Sequence, residues 1–332
     1  MRIVFGILVW AVVGFLVASC AVQPEYTGRR GRVAALSGEY VLYEPGDGET
    51  LSDVARTFYG DRGTVWRIED ANGNGLDHDF GPLVIPLKEK RIGGLFDTGF
   101  QGVPVLCYHQ FGIGSNSSMI MPPDDFDNQM RYLKDNAYRV ISSGELQGFL
   151  DYKRQIPKKA VIISIDDGYR SIYDVAYPIL KKYGFTATLF VYTNYIGLSS
   201  KALSWEDLRF LKKEGFTIGS HSVSHSDLTR SRENETDSEK AARLWMEVME
   251  SKRIIDRELG QDTFCFSFPF GRSDERVMTM VKEAGYTMAF SVDRGTNPFF
   301  SNPLDLHRDM ILKRDMVSFI SRLITFNPVS LR

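Results

Sequence analysis

From Val103 onward the chain alternates short apolar runs with longer stretches whose apolar residues recur every three or four positions. The runs 103–109, 138–141, 160–165, 186–192, 216–220, 264–268 and 287–292 read as buried strands, because few polar side chains interrupt them and Gly, Pro or Asp bound them. Between them, 125–136 places Phe126, Met130 and Leu133 on one helical face; 172–183 is a helix that Pro178 kinks; Ser204 caps a helix over 205–214. Further helices are expected over 239–259 and 275–284. Strands separated by helices of this length pair in parallel through right-handed crossovers. About seven such units close more naturally into a barrel than into an open sheet, and a barrel of this kind carries its chemistry at the C-terminal ends of its strands.

The first hundred residues follow other patterns. Residues 3–17 contain no polar side chain, and Ala18 and Ser19 then precede Cys20. The length suits the apolar core of a secretory signal better than a spanning helix. Residues 1–19 are therefore expected to be a signal peptide, with the body of the protein outside the cytoplasm. Residues 20–38 read as a polar tether. In 39–88 a short strand leads to Thr50, an N-cap followed three residues later by Asp53, with Leu51, Val54, Ala55 and Phe58 on one face. A second helix carries Val65, Trp66 and Ile68, and Leu83 and Ile85 return as a strand, giving a small β-α-α-β unit. Residues 89–101, with Gly93, Gly94 and Gly99, read as a linker to a domain spanning 102–332.

Composition narrows the function. The 332 residues are 43% hydrophobic and 25% charged, with a net charge of −2. Those are globular proportions without the basic footprint of a nucleic-acid binder. Beyond Cys20 only Cys107 and Cys265 remain, both within apolar runs, and they are expected to be buried thiols rather than a disulfide.

Candidate chemistry gathers at three strand ends. The run 160–165 meets Asp166, Asp167 and Gly168; adjacent strand residues point in opposite directions, so the two carboxylates are free to serve two tasks. Two of the chain's five histidines, His221 and His225, follow the run 216–220. Imidazoles four apart converge on one cation if the segment turns like a helix. A carboxylate with two histidines leaves coordination positions open, as a catalytic metal site requires. The third strand ends in Pro269, Phe270 and Gly271.

These stretches resemble the polysaccharide deacetylase family, the NodB-homology carbohydrate esterases. Its TFDDG motif corresponds to Ser164–Gly168 (SIDDG), its H-(S/T)-x-x-H motif to His221–His225, and its RxPYG motif to Ser267–Gly271. The resemblance implies a distorted (β/α)7 barrel that removes acetyl groups from N-acetylglucosamine polymers. It also implies Asp166 as catalytic base, Asp167, His221 and His225 as ligands of a divalent metal with zinc expected, and the Phe270 backbone N–H as oxyanion donor in a turn fixed by Pro269 and Gly271. Two departures matter. Ser267 stands where the family carries an arginine that orients the base, and no late Asp-Trp pair follows, 291–298 reading SVDRGTNP. The opening VPVLCYHQF resembles the exported poly-β-1,6-N-acetylglucosamine deacetylases, which assigns the general acid to His109 rather than to His307 in the late stretch NPLDLHRD. The small unit 39–88 resembles LysM modules, which bind N-acetylglucosamine-containing glycans, and Ala18–Ser19–Cys20 resembles a lipobox, which implies a membrane anchor through lipid on Cys20. Exopolysaccharide and peptidoglycan remain alternative substrates. A cell-wall-binding lipoprotein without activity, or another amide or ester hydrolase on the same barrel, are the competing classes.

Overall fold

A computed structural model describes residues 31–73, 81–88, 92–113, 117–312 and 315–329; the expected signal peptide and Cys20 lie outside these residues. The chain divides between Leu87 and Lys88 into two units.

In the first unit, strands Arg32–Leu36, Tyr40–Glu44 and Leu83–Pro86 form an antiparallel sheet in that order, and helices Leu51–Tyr59 and Val65–Asn72 intervene. Thr50 and Asp53 exchange the reciprocal hydrogen bonds of a capping box, as the spacing predicts. Val41, Tyr43, Leu83 and Ile85 alternate inward to meet Val54, Ala55 and Ile68. The unit is thus ββααβ: Arg32–Leu36 adds an edge strand within the stretch expected to be tether.

The second unit is built on parallel strands. Val103–Tyr108, Ala160–Asp167, Thr188–Val191, Thr217–Ser220, Cys265–Ser267 and Met288–Phe290 pair side by side in chain order. The seventh stave comes from the C-terminal region. Leu306 bridges Phe290 on the last strand, and Asp309–Met310 pairs in parallel with the first, so a splayed segment closes the ring. This is the distorted seven-stranded barrel expected, with one stave corrected. The run at 138–141 supplies only Arg139–Val140, paired to the base of Ala160–Asp167 outside the ring, and 306–310, which the pattern did not offer as a strand, takes its place. The expected linker 89–101 also carries structure: Leu95–Phe96 and Gly99–Gln101 form a small sheet with Phe326–Pro328.

Alternation along each strand decides what enters the barrel. Val161, Ile163 and Ile165 pack outward against helices, whereas Ala160 and Ile162 join Val103, Val105, Phe190, Cys265, Met288, Phe290 and Leu306 inside. Extended by two-residue steps, the inward row reaches Ser164 and Asp166, Cys107 and His109, Ser267, and Arg308. The helices lie near their predicted places: Pro123–Asp135, Trp205–Lys213 capped by Ser204, and Glu275–Glu283. Two contain π-helical turns. In the first, Ile172–Ala176 precedes Tyr177–Tyr183, with Pro178 in the opening turn of that segment, so the irregularity lies just before the proline. The other turn, Met246–Glu250, joins Asp237–Trp245 to Ser251–Leu259.

Candidate active site

The C-terminal strand ends surround a cavity of about 260 Å³ whose lining includes His109, Asp166, Asp167, His221, His225, Phe270, Gly271 and Arg308. Every residue that the sequence nominated for catalysis or metal binding in the barrel therefore meets at one mouth, apart from Pro269, which is buried behind it in the same turn.

Asp166 and Asp167 do not separate as strand alternation predicts. Asp167 adopts φ 75, and this left-handed twist turns its carboxylate back over the barrel mouth. His221 Nε2 consequently lies 3.7 Å from Asp166 Oδ2 and 3.8 Å from Asp167 Oδ1. The histidine segment is not helical either. It is a bent loop in which Ser222 (φ 71) and His225 (φ 59) are also left-handed, and with Phe270 (φ 59) these positions concentrate backbone strain around the cavity. Gly271, at φ 66, lies so close to Val292 that a side chain there would overlap it.

The environments of the two aspartates differ. Burial alone would raise the pKa of Asp166, but Arg308 and then His221 outweigh it and hold the carboxyl well below the usual range. Arg308 is fully buried and forks onto Asp166, Nη1 to Oδ1 at 2.8 Å and Nη2 to Oδ2 at 2.9 Å. Its remaining donors meet Ser267 Oγ at 2.7 Å, the Ser291 carbonyl at 2.8 Å and Ser164 Oγ at 3.4 Å. The absence of an arginine at position 267 is thereby explained: a serine there leaves room for a guanidinium arriving from the seventh strand and accepts a hydrogen bond from it. Sequence reasoning missed Arg308, although it sits one residue from the His307 that was considered.

Asp167 is in the opposite condition. Burial pushes its pKa up to about 6, and its Oδ1 is buried without a hydrogen-bond partner. That oxygen faces His225 Nε2 at 3.4 Å as well as His221 Nε2. His221 Nδ1 donates to the Ser267 carbonyl at 2.8 Å, which fixes the tautomer and leaves Nε2 as a lone pair directed at the carboxylate. Burial lowers the His221 pKa to about 3 and depresses that of His225, so both rings are neutral at physiological pH. One atom from each of the three residues lies within 4.8 Å of the others. An unpartnered carboxylate oxygen opposed by the Nε2 atoms of two neutral imidazoles is the donor set of a divalent metal, and these residues fit one.

Glu247, from the π-helical turn Met246–Glu250, holds the histidine loop from behind. It is 5% exposed and accepts from the backbone N–H groups of Val223 (3.0 Å) and Ser224 (2.9 Å), and from the hydroxyls of Ser224 and Ser226. Ser222 Oγ accepts from the His225 N–H at 3.0 Å. No sequence motif had marked Glu247; its only signal was an acidic residue on the buried side of an amphipathic helix.

His109 lines the cavity, whereas His307 lies outside the lining with its Nδ1 directed at the Asp293 carbonyl. Cys107 and Cys265 are both buried free thiols, and Cys107 Sγ lies 3.7 Å from Asp166 Oδ2.

A model of the polysaccharide deacetylase family matches residues 153–289. YxkH of Bacillus subtilis (strain 168), named as a polysaccharide deacetylase, is 32% identical over 206 residues, 62% of this chain and 70% of that protein. Poly-β-1,6-N-acetyl-D-glucosamine N-deacetylase of Staphylococcus aureus (strain MRSA252) is 26% identical over 175 residues, 51% of this chain and 59% of the enzyme. Among solved structures, Streptococcus pyogenes deacetylase PplD in complex with acetate superposes with a TM-score of 0.59 at 29% identity, covering 64% of this chain and 93% of PplD. IcaB from Ammonifex degensii shares the fold, with a TM-score of 0.60 at 21% identity over 68% of this chain and 97% of IcaB. The family match runs through all three strand ends that carry the two aspartates, the two histidines and the Phe270 turn, and the chain belongs to the polysaccharide deacetylase family.

Proposed function

We propose that this protein hydrolyses the N-acetyl groups of an N-acetylglucosamine polymer outside the cytoplasm. The observation that carries the reading is the unpartnered Asp167 Oδ1 facing the Nε2 atoms of His221 and His225, with Asp166, held ionised by Arg308, beside it. Asp167, His221 and His225 would hold a divalent metal, zinc being favoured by the mixed nitrogen and oxygen donors, and when bound it supplies Lewis-acid polarisation of the acetyl carbonyl.

The chain's own groups perform the proton transfers. Asp166 accepts a proton from the attacking water; Arg308 keeps the carboxylate ionised and aimed, giving up some basicity for constant availability. The new C–O bond places negative charge on the former carbonyl oxygen, which the Phe270 N–H stabilises. Cleavage of the C–N bond requires a proton on the departing amine, and His109, on the same rim, donates it. Acetate and a free amino sugar result.

The staphylococcal relative's named substrate favours a β-1,6-linked polymer. The ββααβ unit, read as a LysM-like module, favours retention on an N-acetylglucosamine-containing wall glycan. Export and a lipid anchor on Cys20 rest on the apolar run 3–17 and the small residues before the cysteine. The test is acetate release, measured by mass spectrometry, from poly-β-1,6-N-acetylglucosamine oligomers and from purified peptidoglycan, with and without added zinc. Release from either glycan that a chelator abolishes and zinc restores is the expected result. Metal-independent release, or none from any N-acetylated glycan, overturns the reading.

A further inference from the structure

The cavity opens beside a continuous row of aromatic rings. Starting from the metal-binding side, Phe270 lies 4.8 Å from His225, His225 5.3 Å from Tyr192, Tyr192 5.1 Å from Tyr195 and Tyr195 5.6 Å from Tyr169, all between ring centroids. Phe270 is 56% exposed, and the three tyrosines are half-buried. Nothing in the hydrolysis of a single acetyl group needs Tyr192 or Tyr195.

The backbone under this row is tied down at both ends. Thr193 and Asn194 donate their N–H groups to the carbonyls of Ser222 and Val223 in the histidine loop. Ten residues on, Leu203 N–H bonds to the Gly168 carbonyl, Arg170 N–H bonds to the Lys201 carbonyl, and Ala202 bridges Tyr169. The 192–203 loop is therefore stapled to the two segments that carry Asp167 and His225, so the tyrosines keep a fixed position relative to the site.

We propose that Tyr192 and Tyr195 form a stacking subsite for the pyranose rings next to the sugar being deacetylated, so that the enzyme selects polymer over short oligomers. A rigid, partly exposed aromatic surface with hydroxyls at its edge matches a sugar, whose C–H face is apolar and whose rim is polar. Tyrosine supplies that area with little loss of side-chain freedom on binding. Continuity with the cavity commits the row to the same glycan chain that enters it. The inference rests on the proposed N-acetylglucosamine polymer substrate and assigns its neighbouring units.

Tyr195 is the position to vary, because the rings it pairs with, Tyr169 and Tyr192, are not among the metal-binding residues and its hydroxyl donates to the Lys201 carbonyl at 3.2 Å within the same loop. Acetate release by the zinc-loaded full chain is measured on β-1,6-linked N-acetylglucosamine oligomers from dimer to hexamer, and calorimetric binding of the hexamer is measured alongside. The wild type is expected to gain kcat/KM with length. Tyr195→Ala should lose about tenfold more on the hexamer than on the dimer, mainly through KM, with weaker hexamer binding. Tyr195→Trp should keep the length dependence, and the thermal unfolding midpoint checks that each variant is folded. Equal losses on all lengths, or none, in a folded Tyr195→Ala protein overturn the subsite. A wild type that binds the hexamer through Tyr195 without releasing acetate would sink the deacetylase reading and leave the subsite standing; a wild type that neither binds nor hydrolyses overturns both.

Discussion

The guanidinium of Arg308 and the carboxylate of Asp166 form a buried two-pronged ion pair across 142 residues of chain. Removing one partner of such a pair leaves an uncompensated charge, at a cost of about 3–5 kcal/mol. Arg308→Met should therefore lower the unfolding midpoint and reduce kcat by about 10² or more, because Asp166 loses both its ionisation and its aim. Arg308→Lys retains charge without the fork and should recover only part of each loss. A more discriminating test is the exchange Ser267→Arg with Arg308→Ser. Ser267→Arg alone crowds two cations around one carboxylate and should be inactive, whereas the double variant should regain activity above either single one. Double-variant activity no better than the singles would mean that the seventh strand supplies more than a cation.

The metal site should respond to pH through Asp167. Its raised pKa of about 6 means that below this value a proton occupies the carboxylate, whereas His221 stays neutral down to about pH 3. Zinc affinity measured by calorimetry should hold steady above pH 6.5 and fall by about tenfold per pH unit below 6. The contribution of Asp167 to the stability of the metal-free protein should move the other way. A carboxyl with a raised folded-state pKa stabilises the fold below its unfolded value, near 4, and loses that contribution as pH rises through 6. His221 and His225, whose pKa values burial depresses, act in the opposite sense as pH falls below 6.5, so the Asp167 contribution is read as a difference: metal-free wild type should gain in unfolding midpoint relative to metal-free Asp167→Asn on going from pH 7 to pH 5. A flat metal affinity from pH 5 to 7 would remove Asp167 from the ligand set.

Glu247→Gln tests whether the histidine loop is held in its ligand geometry by the buried carboxylate. The amide keeps the shape but cannot accept on both heads, so the loop's N–H and hydroxyl donors lose partners. Outer partners of this kind typically account for about 10–100-fold in metal affinity. The expected signature is weaker zinc binding with kcat recovering towards wild type at saturating zinc. Unchanged zinc affinity in a folded variant contradicts that role.

His109→Ala should reduce kcat by roughly 10²–10⁴ while zinc content stays normal, and His307→Ala should cost far less. His109 lines the cavity and His307 does not, which is why the two should separate. The reverse ranking in acetate-release assays would return the acid role to the late histidine.

Much of this site was readable from residue order because each element announces itself locally. An apolar run ending in Asp-Asp-Gly, two histidines four apart and a Pro-Phe-Gly turn need no knowledge of the fold to be noticed. What escaped was non-local or conformational. Arg308 sits in a stretch with Pro303 and several charges, which looks like surface; only barrel closure, with Leu306 on one edge and Met310 on the other, makes it interior. The left-handed φ of Asp167, which overrules the alternation of its strand, leaves no trace in residue type. Likewise the short run at 138–141 has the apolar character of a stave, but only Arg139–Val140 pairs, at the foot of the sheet.

The splayed seventh strand also sets the order in which the site comes into being. During synthesis Asp166 leaves the ribosome 142 residues ahead of the guanidinium that neutralises it. Until then the second strand ends in two carboxylates that the barrel interior cannot accept without a cation. A chain truncated before Arg308 has its aspartates, histidines and oxyanion turn, yet lacks both the closing stave and the charge that permits Asp166 to be buried. Catalytic competence is in this way tied to closure of the barrel: the seventh stave to be made is the one that licenses the first motif.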